Sequence, residues 1–385
     1  MNYSLVGDTI RNDDIDALSE WLKTYPRLSK GELTPQFEEM WASWLGTKHA
    51  VYVNSGSSAN LIILSALIEN GTLALGDEVV VPAVSWATDL APVIQLGLKP
   101  LLCDCNLNDL SLNLAHFEKI CRENNPKAVM FVSVLGLVPE METLVGLCEK
   151  HNVTLVEDTC ESFGSEFNGR KLGTFGEAST FSLYFGHHLS TIEGGIVATN
   201  NTHLYNILLS IRSHGWMRDC DPEFAQPLRD KWKTDPFTDQ YTFYYAGYNL
   251  RSTDLQAFLG LRQMEYADQV VRQRVANYHS YVNTLKSHLW RPTVGASHLV
   301  SNFCYPILAQ NRNEVKEHLA QKGIETRPLI CGSMARQPLY IARYGHADCP
   351  NAERIHDEGL YLPNNHRLTH DDIVAIAECV NEVAL

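Results

Sequence analysis

At 385 residues, with 45% hydrophobic and 20% charged side chains, the chain has the composition of an ordinary globule with room for two domains. A formal net charge of −14 argues against nucleic acid as a partner, and leaves an anionic small substrate to local Arg and Lys. No apolar run reaches the roughly 18 residues of a membrane span, Met1-Asn2-Tyr3-Ser4 opens no secretory signal, and the cytoplasm is the expected compartment. The ten cysteines are scattered, several in apolar runs (Cys103, Cys121, Cys148, Cys379), and read as reduced thiols. The only close pair is Cys103 and Cys105, so no metal site is expected.

In chain order, residues 13–26 show helical spacing at Ile15, Leu18, Trp21 and Leu22, and a second helix spans about 34–45 after Gly31, with Thr34-Pro35 at its start. His49 to Val53 reads as a strand, and residues 54–60 turn into an apolar helix from Leu61 to Ile68. Strands then alternate with helices: strand 78–81, helix 83–95, strand 100–103, helix 114–123, strand 128–134, helix 141–151, strand 154–158. Near-continuous apolar strands in such alternation imply a mostly parallel sheet covered on both faces, with ligands at the strands' carboxyl ends.

Two further apolar runs, Thr180 to Phe185 and Ile196 to Thr199, flank a polar turn carrying His187 and His188 and ending in Glu193-Gly194-Gly195. A helix from 204 to 212 leads to Ser213-His214-Gly215-Trp216. The polar, charged stretch 217–240 reads as a long functional loop, and 253–288 as one long helical region. Residues 300–385 hold strands at 302–307 and 325–327 and helices near 312–322, 351–359 and 370–382. The division expected is a large domain over 1–255 and a smaller C-terminal α/β domain over 256–385.

Three stretches carry candidate chemistry. Ser55-Gly56-Ser57-Ser58-Ala59-Asn60 is a small-residue turn entering a helix, which suits a phosphate; a plain capping turn looks the same. Glu157-Asp158 and Glu161 lie at the end of a buried strand, where a carboxylate can keep a heterocyclic nitrogen protonated; taken alone, a helix cap with a solvated Glu is the better reading. Trp86 follows another strand end, placed either to stack on a planar ring or to fill the core.

The order of these pieces resembles the fold-type I pyridoxal phosphate enzymes, and specifically the DegT-type sugar aminotransferase family, over nearly the whole chain. Matching segments are Gly31-Glu32, Phe37-Glu38, Ser55 to Asn60, Glu157-Asp158, Phe181-Ser182, Glu193-Gly194-Gly195, Gly247 to Arg251 and Gly323 to Pro328. The resemblance implies pyridoxal or pyridoxamine 5'-phosphate as cofactor, with its phosphate on Gly56, Ser57 and Ser182. It implies Trp86 against the ring, Asp158 on the pyridine nitrogen and Glu161 near the ring hydroxyl. It places Asn249 on the phosphate of a neighbouring subunit, which makes the active unit a homodimer.

One position departs from that pattern. Where the aminotransferases carry the lysine that binds the cofactor, this chain has His187, followed by His188. An imidazole cannot hold the cofactor covalently, but near neutral pH it moves protons. The substitution resembles the sugar 3-dehydratase branch of the family, which implies removal of the C3 hydroxyl from a nucleotide-linked 4-keto-6-deoxy sugar, GDP-4-keto-6-deoxymannose favoured, with L-glutamate restoring the amine. Cys220 alone follows the histidine turn closely, which fits the cluster-free type rather than the iron–sulfur type. The alternative is an aminotransferase acting on a keto sugar of lipopolysaccharide biosynthesis. His187 is the favoured base over His188, and His214, Arg251 and Arg327 join His188 as further candidate substrate contacts.

Overall fold

The structure, a computed structural model, describes residues 2–385; Met1, the first residue of the opening read above, lies outside them. Through the first 160 residues the chain runs α1 (Asn12–Leu22), α2 (Leu33–Leu45), β1 (His49–Val53), α3 (Gly56–Glu69), β2 (Glu78–Pro82), α4 (Ala87–Gln95), β3 (Lys99–Cys103), α5 (Leu114–Asn124), β4 (Ala128–Val132), α6 (Met141–His151) and β5 (Thr154–Asp158). A small hairpin, β6 (Glu166–Phe167) and β7 (Arg170–Lys171), precedes β8 (Ala178–Ser182), β9 (Gly195–Thr199), α7 (Thr202–Arg212), α8 (Pro222–Trp232), α9 (Asp254–Met264) and α10 (Ala267–Thr284). The remainder holds β10 (Tyr305–Leu308), α11 (Arg312–Gln321), β11 (Arg327–Pro328), α12 (Pro338–Tyr344), α13 (Pro350–Glu358), β12 (Gly359–Leu362) and α14 (His370–Val383).

Seven strands form the main sheet in the order β1-β9-β8-β5-β4-β2-β3, and three form a second sheet, β10-β12-β11. All neighbours from β8 to β3 are parallel, while β9 runs antiparallel to both β8 and β1. Two antiparallel steps restore direction, so β1 points the same way as β2, β4, β5 and β8. Their carboxyl ends therefore share one edge of the sheet. The mostly parallel α/β architecture expected from the alternation is the one present.

The packing follows from composition. β4 reads Ala-Val-Met-Phe-Val and is buried throughout. On α3, Ile62, Ile63, Leu64 and Leu67 are fully buried, each such side chain contributing about 2 kcal/mol of gross transfer energy. A buried ion pair joins Arg212 to Glu38, whose Oε1 also accepts the Tyr52 N–H at 2.7 Å, which ties α7 and α2 to β1. Gly31 is explained by close approach: a Cβ there would lie 2.7 Å from Asp254 Oδ2, whose carboxylate accepts the Gly31, Leu33 and Thr34 N–H groups at the start of α2. Near the N-terminus, Tyr3 bridges to Ile324 and the Leu5 N–H donates to Glu325, so the first residues join the second sheet's side.

Several sequence expectations are corrected. The stretch 217–240 is not all loop, because α8 begins with Pro222 at its first turn, a position where proline fits a helix although it reads as a breaker. The helical region 253–288 is two helices. The turn between them closes through Glu265 N–H to Arg262 O and Tyr266 N–H to Gln263 O, and the Tyr266 hydroxyl is held by Asp13 at 3.2 Å. β8 stops at Ser182 rather than running to 185: the Leu183 N–H and C=O pair with Gly194 and Thr191, and Tyr184 and Phe185 stand half-exposed. β4 likewise ends at Val132, and β12 and α12 carry too short a pattern to have been read.

Candidate active site

A cavity of about 530 Å³ opens at the shared carboxyl edge, lined by residues that follow β1, β2, β4, β5 and β8. Its first wall is the start of α3. Ser55 caps this helix, its Oγ accepting the Ser58 N–H at 3.0 Å and its C=O taking the Ala59 N–H. The N–H groups of Gly56 and Ser57, both lining the cavity, have no partner among the described residues and sit at the positive end of the helix dipole. A Cβ at Gly56 would meet Ser182 Cβ at 2.7 Å, so only glycine lets β8 come this close. The glycine pair serves the same approach, since a Cβ on Gly195 would lie 2.2 Å from the Ser55 carbonyl oxygen.

The floor is the end of β5. Glu157 and Asp158 sit on opposite faces of the strand, as alternation requires. The Glu157 carboxylate turns away from the cavity and accepts N–H groups of Gly173, Phe175 and Gly176, each at 2.7 Å, so it pins a loop. Asp158 faces the cavity, its Oδ1 accepting the Cys160 N–H at 2.9 Å and its Oδ2 the Asn60 amide at 2.6 Å. Thr180 Oγ1 donates to Asn60 Oδ1 at 2.6 Å, which fixes that amide with its NH₂ toward the carboxyls. Beside Asp158 lies Asp89 of α4, 1% exposed, with its carboxyl held well above the usual range first by burial and then by Asp158. Glu161 also lines the cavity; burial pushes it up to about 8 although its Oε2 accepts the Leu135 N–H at 2.8 Å.

The two histidines part company. His187 lines the cavity, and its Nδ1 is buried with no hydrogen-bond partner. Burial holds its pKa down to about 4, with the buried Arg274 cation pushing the same way and Asp158 opposing, so the imidazole is neutral at pH 7. Arg274 has its own anchors, donating to the carbonyls of Asn302, Phe303 and Asn364. His188 does not reach the cavity: its Nε2 sits 3.0 Å from the Ser301 carbonyl and its ring packs by Phe163 and Phe303. His188, expected as a substrate contact, thus stands off this cavity, because successive side chains at this turn point to opposite sides.

Trp86, 56% exposed, and Arg327 line the cavity with the strand-end groups. Asn249, His214 and Arg251 do not. They share a separate surface: Asn249 pairs with Ser213 and is exposed, His214 packs on Trp216, and the Arg251 guanidinium lies 5.5 Å from the Trp216 ring centroid. Asp89, Phe303 and Tyr361 on the cavity wall were missed from sequence. Asp89 lay inside the helix read at 83–95 with no local sign of a site, and the other two lie far along the chain at the second sheet. Among the described residues, no lysine lines the cavity. Among the described residues, no three His, Cys, Asp or Glu groups are placed to hold a metal ion. No helix among them is long and apolar enough to cross a membrane.

Residues 8–381 match the model of the DegT/DnrJ/EryC1/StrS aminotransferase family. The chain belongs to this family. Among DegT/DnrJ/EryC1/StrS members, it is 31% identical over 375 residues to the GDP-4-keto-6-deoxy-D-mannose 3-dehydratase of Yersinia pseudotuberculosis, covering 95% of this chain and 94% of that one. A crystal structure of GDP-4-keto-6-deoxymannose-3-dehydratase with a trapped PLP-glutamate geminal diamine superposes with a TM-score of 0.89 at 28% identity, covering 98% of this chain and all of that one. A mutant of that enzyme with bound GDP-perosamine gives a TM-score of 0.90 at 29% identity, with 98% of this chain and 100% of that one covered.

Proposed function

We propose that this chain is a pyridoxamine phosphate-dependent 3-dehydratase, removing the C3 hydroxyl of a nucleotide-linked 4-keto-6-deoxy sugar, GDP-4-keto-6-deoxymannose favoured, with L-glutamate restoring the cofactor amine. The observation that carries the reading is His187, a neutral imidazole with an unpartnered Nδ1 at a cavity that no lysine lines. The same cavity fits the cofactor in its donor set: two free helix N–H groups beside Ser182, a carboxylate at the floor and an exposed indole at the rim. When bound, the cofactor supplies an amine for the sugar ketone and a ring that accepts electrons.

In this reading Gly56, Ser57 and Ser182 hold the phosphate, with Trp86 against the ring and Glu161 near its hydroxyl. Asp158 holds the pyridine nitrogen's proton. His187 would take a proton from the cofactor's methylene carbon and give one to the C3 hydroxyl, which would leave as water. The low basicity of its buried imidazole keeps it unprotonated and ready to accept. Arg327, on the same wall, is placed for an anionic part of the substrate. Asn249, His214 and Arg251 stand off the chain's own cavity and are assigned to the cavity of a second copy, so the working unit is a homodimer in the cytoplasm. The division into 1–255 and 256–385 belongs to this proposal, with the first residues reaching across to the smaller unit. The cluster-free reading rests on Cys220 being the lone cysteine close after the histidine turn.

The test is mass spectrometry of products from GDP-, CDP-, dTDP- and UDP-linked 4-keto-6-deoxy sugars, with glutamate and no reductase. A 3-deoxy ketone from the GDP sugar, with catalytic cofactor, is expected. Stoichiometric amino sugar instead would make the chain an aminotransferase.

A further inference from the structure

The floor of the cavity holds two carboxyls where the proposed cofactor needs one. Asp89 and Asp158 come from different elements, α4 and β5, and both are buried. A single Asn60 amide nitrogen bridges them, 2.6 Å from Asp158 Oδ2 and 3.3 Å from Asp89 Oδ1, which brings the two carboxyls side by side. The titratable groups facing Asp89 are Asp158, Cys160 and Glu161 from the β5 end and Cys331 from the loop after β11, and all are acids. Two buried carboxylates this close, without a cation, cannot both ionise.

The hydrogen bonds say which keeps the proton. Asp158 accepts two firm bonds, from Cys160 and Asn60, which favour its anion. Asp89 accepts the Trp86 N–H at 3.0 Å as the reciprocal cap of α4, and beyond that only the long Asn60 contact. We infer that Asp89 is a positioning residue that carries a proton and donates it to Asp158, so the pair bears one negative charge and Asp158 presents it to the cavity. Burial and the neighbouring Asp158 both hold the Asp89 carboxyl well above its ordinary range, in agreement with that arrangement. Toward the cofactor, the consequence is a carboxylate locked by three donors (Cys160, Asn60 and Asp89) and aimed at a ring nitrogen. This last step rests on the proposed function; the shared proton does not.

Two readouts separate the parts. In the cofactor-free chain at neutral pH, infrared spectroscopy should show a neutral-carboxyl C=O band that disappears in Asp89→Asn. Persistence of every such band in Asp89→Asn would overturn the inference whatever the cofactor. Equilibrium dialysis and absorbance titration with pyridoxamine phosphate then test its effect. Asp89→Asn, which keeps an N–H donor and the helix cap, should hold the wild-type dissociation constant within about threefold, with the same absorbance profile from about pH 6 to 8. Asp89→Leu should weaken binding about tenfold or more, as a lost bond to a charged group does, and shift the profile. A displaced profile in Asp89→Asn would mean that the ionised form is needed and would overturn the inference. So would a wild-type profile in a folded Asp89→Leu. A wild-type chain that binds no pyridoxamine phosphate, yet loses its carboxyl band in Asp89→Asn, would reject the cofactor assignment and leave the shared proton standing.

Discussion

The cavity floor and the surface carrying residues 214–251 are opposites in one chain. On the floor, Asp89 and Asp158 are buried, and burial with neighbouring charges moves Asp89 and Glu161 up and His187 down. On the surface, Phe237 and Tyr241 are 85% and 71% exposed, and Asn249 is exposed and does not line the cavity described above. A floor shaped for chemistry and an exposed aromatic and polar face are what the proposed homodimer would bring together, each copy completing the other's cavity.

Mixing the two regions between copies breaks or confirms that comparison most sharply. Asn249→Ala and His187→Ala homodimers should each be nearly inactive. After verified subunit exchange, roughly a quarter of wild-type activity should return, because half of the dimers are hybrids with one intact site. No recovery would place Asn249's role within its own subunit.

The lack of lysine at the cavity gives the next largest effect. Borohydride treatment of the cofactor-loaded chain should add no mass to the polypeptide, whereas a covalent adduct on any lysine would contradict non-covalent binding. His187→Lys should restore borohydride fixation.

A smaller effect is thermodynamic. His187 and His366 are both held down to about 4 from 6.5, so the unfolded chain takes up their protons first as pH falls. Their contribution to stability is complete above pH 6.5 and is lost as the pH falls toward 4. Glu161, pushed up to about 8, works in the opposite sense, so the measurement is a difference between proteins. The urea midpoint should drop less between pH 7 and 5 in His187→Asn than in wild type. An identical drop would mean that His187 titrates alike in the folded and unfolded chain and is not held down by the fold.

The smallest concerns the turn that joins the two histidines to the glycine pair. Ile192 has φ +72°, a region β-branched residues avoid, and its side chain is half-exposed. Ile192→Gly should therefore stabilise the fold by about 1 kcal/mol, read as a raised melting temperature. A lowered one would mean that Ile192 packs usefully.

Much of this was legible beforehand, and the gaps have physical reasons. The parallel sheet could be read because apolar strands such as 128–132 alternate with capped helices, and its strand ends follow from that alternation. Gly56 could be named from local pattern and Ser182 from the family resemblance, but their contact comes from β1 and β8 flanking β9, which no local spacing records. Glu157 and Asp158 looked equivalent until the strand's pleat sent one to a loop and the other to the cavity. Asp89 was hidden because its capping role explains it fully within α4, and only the fold brings it to Asp158. α8 was lost because its composition is polar and its prolines read as breaks.

The account turns on the divergence of two neighbouring imidazoles, one at the cavity and one against the Ser301 carbonyl. The direct measurement is the rate of 3-deoxy ketone formation by His187→Asn and His188→Asn, each loaded with pyridoxamine phosphate and checked for folding. His187→Asn should bind the cofactor normally and lose roughly 10²- to 10⁴-fold in rate, the ordinary worth of a general base. His188→Asn should keep its rate within about threefold while melting lower, as a surface-neutral but core-disturbing exchange does. Full activity in His187→Asn with loss in His188→Asn would contradict the central claim.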